Sequence, residues 1–242
     1  FGQALAYSCK LLGKKAIVVM PETSSKVKME GVREHGGIVE PVDTTQKSRA
    51  ERVDELSAEH PAAAIASAYD DPLVIDGNAT LGEELAAYDF DVVVVPIGGG
   101  GLSSGIVQGL RSAGNNRTRV IAAEPLLGND AAQSLKAGHI VRNTQEPLTI
   151  ADGARTLSLG EHNWAILKDG LEDIVEVPEH HIKEAVRLSF TRANLKAEPT
   201  GALSIGALLA KPELFRKRSV CCVVTGGNVE PQLYSRILSG GD

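Results

Sequence analysis

A run of four valines at residues 92–95, followed closely by four glycines, is the feature that most constrains how this chain folds. Consecutive β-branched residues indicate a strand buried on both faces, which is typical of a parallel sheet covered by helices. Residues 102–113 have a helical pattern, so the glycines form a turn between strand and helix. Another strand pattern at residues 119–123 completes a strand, turn, helix and strand unit.

Strands and helices alternate along most of the chain. Apolar strand patterns lie at residues 16–20, 38–42, 63–66, 90–97, 119–123, 174–177 and 219–224. Helical patterns separate most of them, which predicts parallel βαβ units in an α/β fold. A change of rhythm predicts a domain boundary, with residues 1–69 in a small domain and residues 70–242 in a large one.

Composition argues against several classes of partner. The 242 residues are 43% hydrophobic and 23% charged, and no apolar run approaches the roughly 20 residues that cross a bilayer. The net charge of -6 is spread along the chain, so there is no basic stripe for nucleic acid. Three cysteines without metal-ligand spacing or a disulfide pattern indicate a reducing cytoplasm. We therefore expect neither a membrane nor a nucleic-acid partner.

The four glycines favour an anion site. Their N–H groups lack side-chain bulk and lie at the positive end of a helix, where Ser103 and Ser104 add hydroxyls. The alternative is a turn that only allows strand and helix to pack closely. No lysine follows as in a nucleoside-triphosphate loop, and Ser103 or Ser104 replaces the third glycine of a dinucleotide motif. A small phosphorylated cofactor remains.

Five short motifs occur in an order known from one enzyme family. They read VPIGGGGL at residues 95–102, AAEP at 122–125, IADG at 150–153, AEPTG at 197–201 and TGGN at 225–228. In these motifs the chain resembles the serine/threonine dehydratase and serine racemase family. The members of this family are fold-type II enzymes that depend on pyridoxal 5'-phosphate (PLP). The resemblance implies two open, twisted, mostly parallel sheets flanked by helices, with the N-terminal part of the family fold missing.

The same resemblance assigns cofactor contacts. It implies that the PLP phosphate is held by the loop of Gly98, Gly99, Gly100, Gly101 and Leu102. Gly153 would line the pocket, Glu198 would lie near the cofactor ring, and Thr225 would contact the pyridine nitrogen. A neutral hydroxyl there makes the ring a weaker electron sink than a carboxylate would, which suits β-elimination. Taken singly, these three residues could equally be a turn glycine, a surface glutamate and a strand-end threonine.

A divalent-cation site is implied in the same way. Glu124 and Asp130, with the carbonyl of Gly128 between them, match a cation site found in part of the family. Carboxylate and carbonyl oxygens are suitable ligands for Mg²⁺ or Ca²⁺. The alternative is a solvated polar loop with no bound ion.

The Schiff-base lysine of the family has no counterpart in this chain. The family carries it in a Ser-x-Lys-x-Arg-Gly segment, whereas Lys26, Lys28 and Lys196 lie in other contexts. The opening residues FGQALA are similar to those that follow the family's Ser-x-Gly-Asn loop, so we expect a cut just after that asparagine. No catalytic residue is therefore assigned, and we expect the fragment alone to be inactive.

The resemblance implies a homodimeric ammonia-lyase that converts a small amino-acid substrate such as L-threonine or L-serine to a 2-oxo acid and ammonia. GNAT at residues 77–80 replaces the dehydratases' Gly-Gln-Gly-Thr, and residues 67–68 replace their His-Pro, so the substrate stays open. The alternatives are a serine racemase, a cysteine-synthase-like β-replacement enzyme and a non-catalytic PLP-fold module.

Overall fold

The structure is a computed structural model that describes residues 1–241. The chain forms two compact units. The first comprises Phe1–Ala68 and Asn228–Leu233, and the second comprises Tyr69–Gly227 and the segment from Tyr234 onward. The division into a small domain of residues 1–69 and a large one of residues 70–242 stays a prediction, because a domain is defined by its ability to fold alone.

The first unit contains a two-stranded parallel sheet. Its strands are β1 (Ile17–Pro21) and β2 (Ile38–Val42), and its helices are α1 (Gly2–Leu11), α2 (Lys26–Glu34) and α3 (Arg49–Glu59). Ala6, Ala16 and Val32 form its small core. The strand predicted at residues 63–66 is wrong: these residues are exposed and pair with neither strand. Three of the four are alanine, which has a low strand propensity and needs a neighbouring strand to extend.

The second unit is built on a four-stranded sheet whose strands are all parallel. Its strands are β3 (Val92–Pro96), β4 (Arg119–Pro125), β5 (Asp173–Val177) and β6 (Val220–Cys222), in the spatial order β5-β4-β3-β6. The valine run is fully buried on both faces. Val93 and Val95 pack into one core cluster and Val92 and Val94 into the other, as period-2 alternation requires. The predicted α/β fold is confirmed.

Helices cover both faces of this sheet. The remaining helices of the described chain are α4 (Pro72–Leu85), α5 (Gly101–Ser112), α6 (Asp130–Ala137), α7 (Glu161–Leu167), α8 (Glu179–Ala193), α9 (Leu203–Ala210) and α10 (Pro231–Leu238). Asp71 caps α4, and Pro72 is compatible with the first helical position. Helices α6, α7 and α10 were not predicted. Across residues 1–241, no helix combines the length and apolarity needed to cross a membrane.

Candidate functional site

The glycine loop leaves the sheet at the carboxyl end of its buried strand β3. The N–H of Ile97 still donates to the carbonyl of Ala123 on β4, at 2.9 Å, and the chain then turns through residues 98–101 into α5. Gly100 is the N-cap of α5 and has a φ of 98°, in the left-handed region that only glycine adopts without strain. Ligands of open parallel sheets bind beyond the carboxyl ends of the strands, which is where this loop lies.

Six consecutive backbone N–H groups of the loop and first helical turn have no protein acceptor. Within the part of the chain that the structure describes, residues 98–103 donate no backbone hydrogen bond, whereas Ser104 donates to the carbonyl of Gly100 at 2.8 Å. Such a cluster at the N-terminus of a 12-residue helix carries a partial positive charge and suits a phosphate. The loop therefore fits the phosphate group of the cofactor that the motifs imply.

The two serine hydroxyls at the start of α5 have a different role from the one predicted. Ser103 Oγ donates to the carbonyl of Pro96 at 3.3 Å, and Ser104 Oγ donates to the carbonyl of Asn163 at 3.4 Å. Neither hydroxyl caps the helix. Their protons are used within the protein, so the backbone supplies the donors for an anion. Leu102 contributes its N–H, while its side chain packs against the core.

The segment around Gly153 lies beside the glycine loop. A Cβ placed on Gly98 would be 3.2 Å from the Cα of Ala154 and 3.6 Å from Oγ1 of Thr156. That Oγ1 is buried and has no hydrogen-bond partner among the described residues. Gly153 itself is exposed, and its N–H donates to Thr200 Oγ1 at 2.9 Å. The site therefore includes a second glycine turn and one unsatisfied hydroxyl.

Glu198 and Thr225 lie on two neighbouring segments of the same unit. The N–H of Glu198 donates to the carbonyl of Gly226 at 2.9 Å, and the N–H of Thr225 donates to the carbonyl of Gly201 at 3.3 Å. Val94 pairs with Cys222, so Thr225 and the glycine loop leave β6 and β3 at the same edge of the sheet. Thr225 is exposed, and its hydroxyl bonds to no described residue. It therefore remains available for a ligand.

The structure brings the two candidate cation-binding carboxylates close together in the interior. Glu124 and Asp130 are each 1% exposed, and Glu124 accepts hydrogen bonds from the N–H groups of Ala131 and Ala132, at 2.8 and 2.9 Å. Burial, reinforced by Asp130, raises the pKa of the Glu124 carboxyl well above its usual range. Burial likewise raises the pKa of Asp130 to about 7.

One oxygen of this carboxylate pair is unsatisfied. Asp130 Oδ1 accepts from Asn143 Nδ2 at 2.8 Å, whereas its Oδ2 is buried without a partner among the described residues. Gly128 is buried in the 3-10 turn Leu126–Gly128 just before α6. Residues 1–241 contain no group of three or more His, Cys, Asp or Glu side chains placed to bind a metal ion, so the predicted site depends on two carboxylates and a carbonyl. It stays a prediction.

Three residues that the motifs did not indicate lie against the glycine loop or against the start of α7 beside it. A Cβ on Gly99 would overlap the ring of Tyr69, so this ring lies directly against the loop. Asp70 accepts hydrogen bonds from the first N–H groups of α7, at 3.0 and 2.9 Å. The amide of Asn163, on α7, donates to the carbonyl of Gly99 at 2.9 Å. No local pattern marks these residues, because the Gly99 and Tyr69 carbonyls that Asn163 contacts are 64 and 94 positions away.

Comparisons with known proteins agree with this geometry. A family model described as "Pyridoxal-phosphate dependent enzyme" matches residues 1–226. An L-threo-3-hydroxyaspartate ammonia-lyase of Saccharomyces cerevisiae is 37% identical over 241 residues, which cover 98% of this chain and 73% of that protein. A serine racemase of Schizosaccharomyces pombe is 34% identical over 239 residues, with the same 98% and 73% coverage.

A solved structure shares the fold at similar identity. The structure, described as a threonine deaminase from T.th., superimposes with a TM-score of 0.87 and 38% identity, covering 95% of this chain and 75% of that chain. The parallel sheets flanked by helices are therefore those of fold-type II.

Proposed function

Because this chain belongs to the pyridoxal-phosphate-dependent enzyme family, we propose that it serves β-elimination from a hydroxyamino acid. In the overall reaction the β-hydroxyl leaves the substrate as one water, and one water then hydrolyses the released enamine, so the net products are one 2-oxo acid and one ammonia. The observation that carries the proposal is the row of six free N–H groups at the carboxyl end of β3, with a free neutral hydroxyl at the same sheet edge.

The roles of the site residues follow from their chemistry. The N–H groups of residues 98–103 hold the phosphate by fixed dipoles, which need no reorganisation during the reaction. When bound, PLP supplies an electron sink for the bonds at the substrate's Cα. Thr225 offers a neutral hydroxyl to the pyridine nitrogen, Glu198 lies next to that segment, and Gly153 lines the pocket beside Gly98. These assignments are part of the proposal.

The substrate class rests on what the relatives share. The named relatives act on L-threo-3-hydroxyaspartate, serine and threonine, all of which carry a hydroxyl on Cβ. The test uses the full natural protein with PLP and each of these three L-amino acids. We expect equal amounts of 2-oxo acid and ammonia from at least one. PLP binding without any 2-oxo acid from all three would reject β-elimination.

A matched pair of threonine variants tests the role of Thr225. We expect Thr225→Ala to lower kcat, because the pyridine nitrogen loses its hydroxyl partner. Thr191→Ala is the control, since Thr191 is exposed on α8 and its hydroxyl bonds only to the carbonyl of Arg187. Equal activities of the two variants would contradict the proposed contact between Thr225 and the pyridine nitrogen.

A second candidate function is racemisation of serine. It is favoured by the similarity to the serine racemase of Schizosaccharomyces pombe. Racemisation returns the proton to the opposite face of Cα and keeps the hydroxyl, so it yields D-serine without pyruvate. Measuring both products from L-serine separates the two reactions, and a product that is mostly D-serine would favour racemisation over the main proposal.

A non-catalytic PLP-fold module is the third alternative. The 242 residues contain no Ser-x-Lys-x-Arg-Gly segment, so the assay must use the full-length protein expressed from its gene. Mass spectrometry of that protein identifies whether such a segment is present. A full-length protein that lacks the Ser-x-Lys-x-Arg-Gly segment and forms no 2-oxo acid would favour the non-catalytic PLP-fold module.

The remaining expectations are also proposals. We propose that Glu124, Gly128 and Asp130 hold Mg²⁺ or Ca²⁺, which is supported by two buried carboxylates and the unsatisfied Asp130 Oδ2. A homodimer is proposed because members of the family that the motifs resemble usually form dimers, and a cytoplasmic location is proposed from the three cysteines without a disulfide pattern. Sedimentation of the purified protein tests the dimer, and a single species of monomer mass would contradict it.

A further inference from the structure

Asn163 is a fully buried polar residue that contacts the glycine loop directly. It lies on α7 and is 0% exposed. Its Nδ2 donates to the carbonyl of Gly99 at 2.9 Å and to the carbonyl of Tyr69 at 3.0 Å. The N–H of Gly160 donates to the same Gly99 carbonyl at 3.1 Å. The Gly99 oxygen therefore accepts two hydrogen bonds from the start of one helix.

Fixing the direction of the Gly99 carbonyl also fixes the direction of the Gly100 N–H. The peptide between Gly99 and Gly100 is trans, as are all described peptides in the chain, and in a trans peptide the C=O and N–H bonds point in opposite directions. With the Gly99 oxygen held toward α7, the N–H of Gly100 points away from α7. That N–H has no acceptor among the described residues.

Without this restraint, the glycine loop would have alternative conformations. Glycine populates both signs of φ, so a loop of four glycines can rotate its peptide planes at low cost. A rotated Gly99 peptide would present a carbonyl where the phosphate site needs a donor. The two hydrogen bonds to the Gly99 oxygen exclude that rotation.

We propose that Asn163 is a positioning residue for the cofactor phosphate: by holding the Gly99 carbonyl, it orients the Gly100 N–H toward the phosphate. The inference deepens the proposed function and rests on the glycine loop being the phosphate site. In this role Asn163 acts through the peptide between Gly99 and Gly100, whose carbonyl it holds.

The phosphate contribution is measured by comparing PLP with pyridoxal, which lacks the phosphate. Apo protein of natural length is titrated with each compound, and the dissociation constant of pyridoxal divided by that of PLP reports the phosphate contacts. Asn163→Leu keeps the branched shape of the side chain and removes the Nδ2 donor to both carbonyls. We expect it to lower that ratio by about tenfold, the usual worth of a hydrogen bond to a charged group. Asn163→Ser keeps one donor and should lose less.

A buried polar residue outside the site supplies the control. Ser189 is 0% exposed, and its hydroxyl donates to the carbonyl of Ala185 within α8. Ser189→Ala should change the unfolding midpoint without changing the ratio of the pyridoxal to the PLP dissociation constant. A purely structural role for Asn163 predicts the same behaviour for its variants, so an unchanged ratio in Asn163→Ser and Asn163→Leu would overturn the inference.

The wild-type protein separates this failure from failure of the proposed function. If it binds PLP no better than pyridoxal, the phosphate site itself is misplaced. If it discriminates between them but the Asn163 variants discriminate equally well, only the positioning role is lost.

A measurement without any substitution keeps the inference testable if Asn163→Leu does not fold. The amide of Gly100 is followed by NMR in isotope-labelled apo protein titrated with inorganic phosphate. We expect the Gly100 signal to shift with the phosphate concentration. Shifts at Gly98 and Gly101 with none at Gly100 would overturn the inference.

Discussion

Gly100 adopts a φ of 98°, and the space beside it is limited. An L side chain in the left-handed region costs roughly 1–2 kcal/mol. A Cβ at this position would also lie 2.9 Å from the Cβ of Asn163 and 3.0 Å from Cδ1 of Leu167. Backbone strain and steric overlap therefore act together at one residue of the glycine loop.

Comparing two glycines separates these effects. Gly114 has a φ of 77°, and a Cβ added there would have no atom within 4 Å, so Gly114→Ala reports strain alone. We expect Gly100→Ala to lower the free energy of unfolding by about 1–3 kcal/mol more than Gly114→Ala, the typical cost of overpacking. It should also abolish PLP binding. Urea denaturation and the visible absorbance of the cofactor check this, and equal losses in both variants would contradict it.

The buried carboxylates of Glu124 and Asp130 provide a second prediction for single residues. Burial raises the cost of ionising both carboxyls, Asp130 raises that of Glu124 further, and a bound cation would remove these costs. We expect Mg²⁺ or Ca²⁺ to raise the Tm of the protein by about 2–4 °C per kcal/mol of stabilisation, and a chelator to reverse the increase.

Substitution of one carboxylate tests the cation site directly. Asp130→Asn should raise the Tm of the cation-free protein and abolish the cation-dependent increase, because a neutral amide replaces a carboxyl that burial makes costly to ionise. Asp54→Asn, at an exposed position on α3, removes the same charge and should preserve the increase. A full cation effect in Asp130→Asn would exclude Asp130 as a ligand.

At the scale of elements, α4 and α5 pack very closely beside the glycine loop. A Cβ on Gly82 of α4 would lie 2.5 Å from the carbonyl oxygen of Ile106 on α5, and one on Gly109 of α5 would overlap the carbonyl of Ala79 on α4. The two backbones are in direct contact, and dense interiors tolerate an added methyl group poorly. This contact fixes the helix whose N-terminus faces the candidate phosphate site.

A pair of glycine substitutions tests the helix contact. Gly109→Ala should lower the free energy of unfolding by about 1–3 kcal/mol, because the helices must separate. Gly77→Ala lies within α4 and faces open space, so it should raise that free energy by about 0.5–1 kcal/mol through higher helix propensity. Denaturant titration measures both, and destabilisation by Gly77→Ala would show that its surroundings are closed.

At the scale of the whole molecule, all proposed cofactor contacts belong to one compact unit. Residues 98–102, Gly153, Glu198 and Thr225 lie within Tyr69–Gly227. A ligand that binds only the folded state stabilises it by about 2.7 kcal/mol at a hundred times its dissociation constant. If these contacts are correct, that stabilisation should be greatest in the second unit.

Hydrogen exchange monitored by mass spectrometry tests this distribution. Saturating PLP should slow exchange in β3 and in the segments around Gly153 and Thr225 more than in β1 and β2, because local opening of the second unit breaks the cofactor contacts. Pyridoxal is the matched control and should protect the glycine loop less. Equal protection of both units by PLP would contradict assignment of the contacts to one unit.

The sequence alone determined the features that depend on short-range chemistry. The valine run predicts a strand buried on both faces, and β3 has that form. The four glycines predict a strand-to-helix turn whose backbone N–H groups are open to a ligand, and the structure has such a turn. This could be predicted because the lack of side chains is a property of the four residues themselves. The five motifs indicate the PLP-dependent family, which the comparisons confirm.

Tertiary structure decided which distant residues complete the glycine loop. Tyr69 and Asn163 reach it from separate segments, and the side chain of Asn163 lacks any motif that predicts its partners. It also gave the hydroxyls of Ser103 and Ser104 carbonyl acceptors within the protein and left residues 63–66 without a neighbouring strand. Glycine permits many loop conformations, so the conformation observed is selected by hydrogen bonds between segments far apart in the chain.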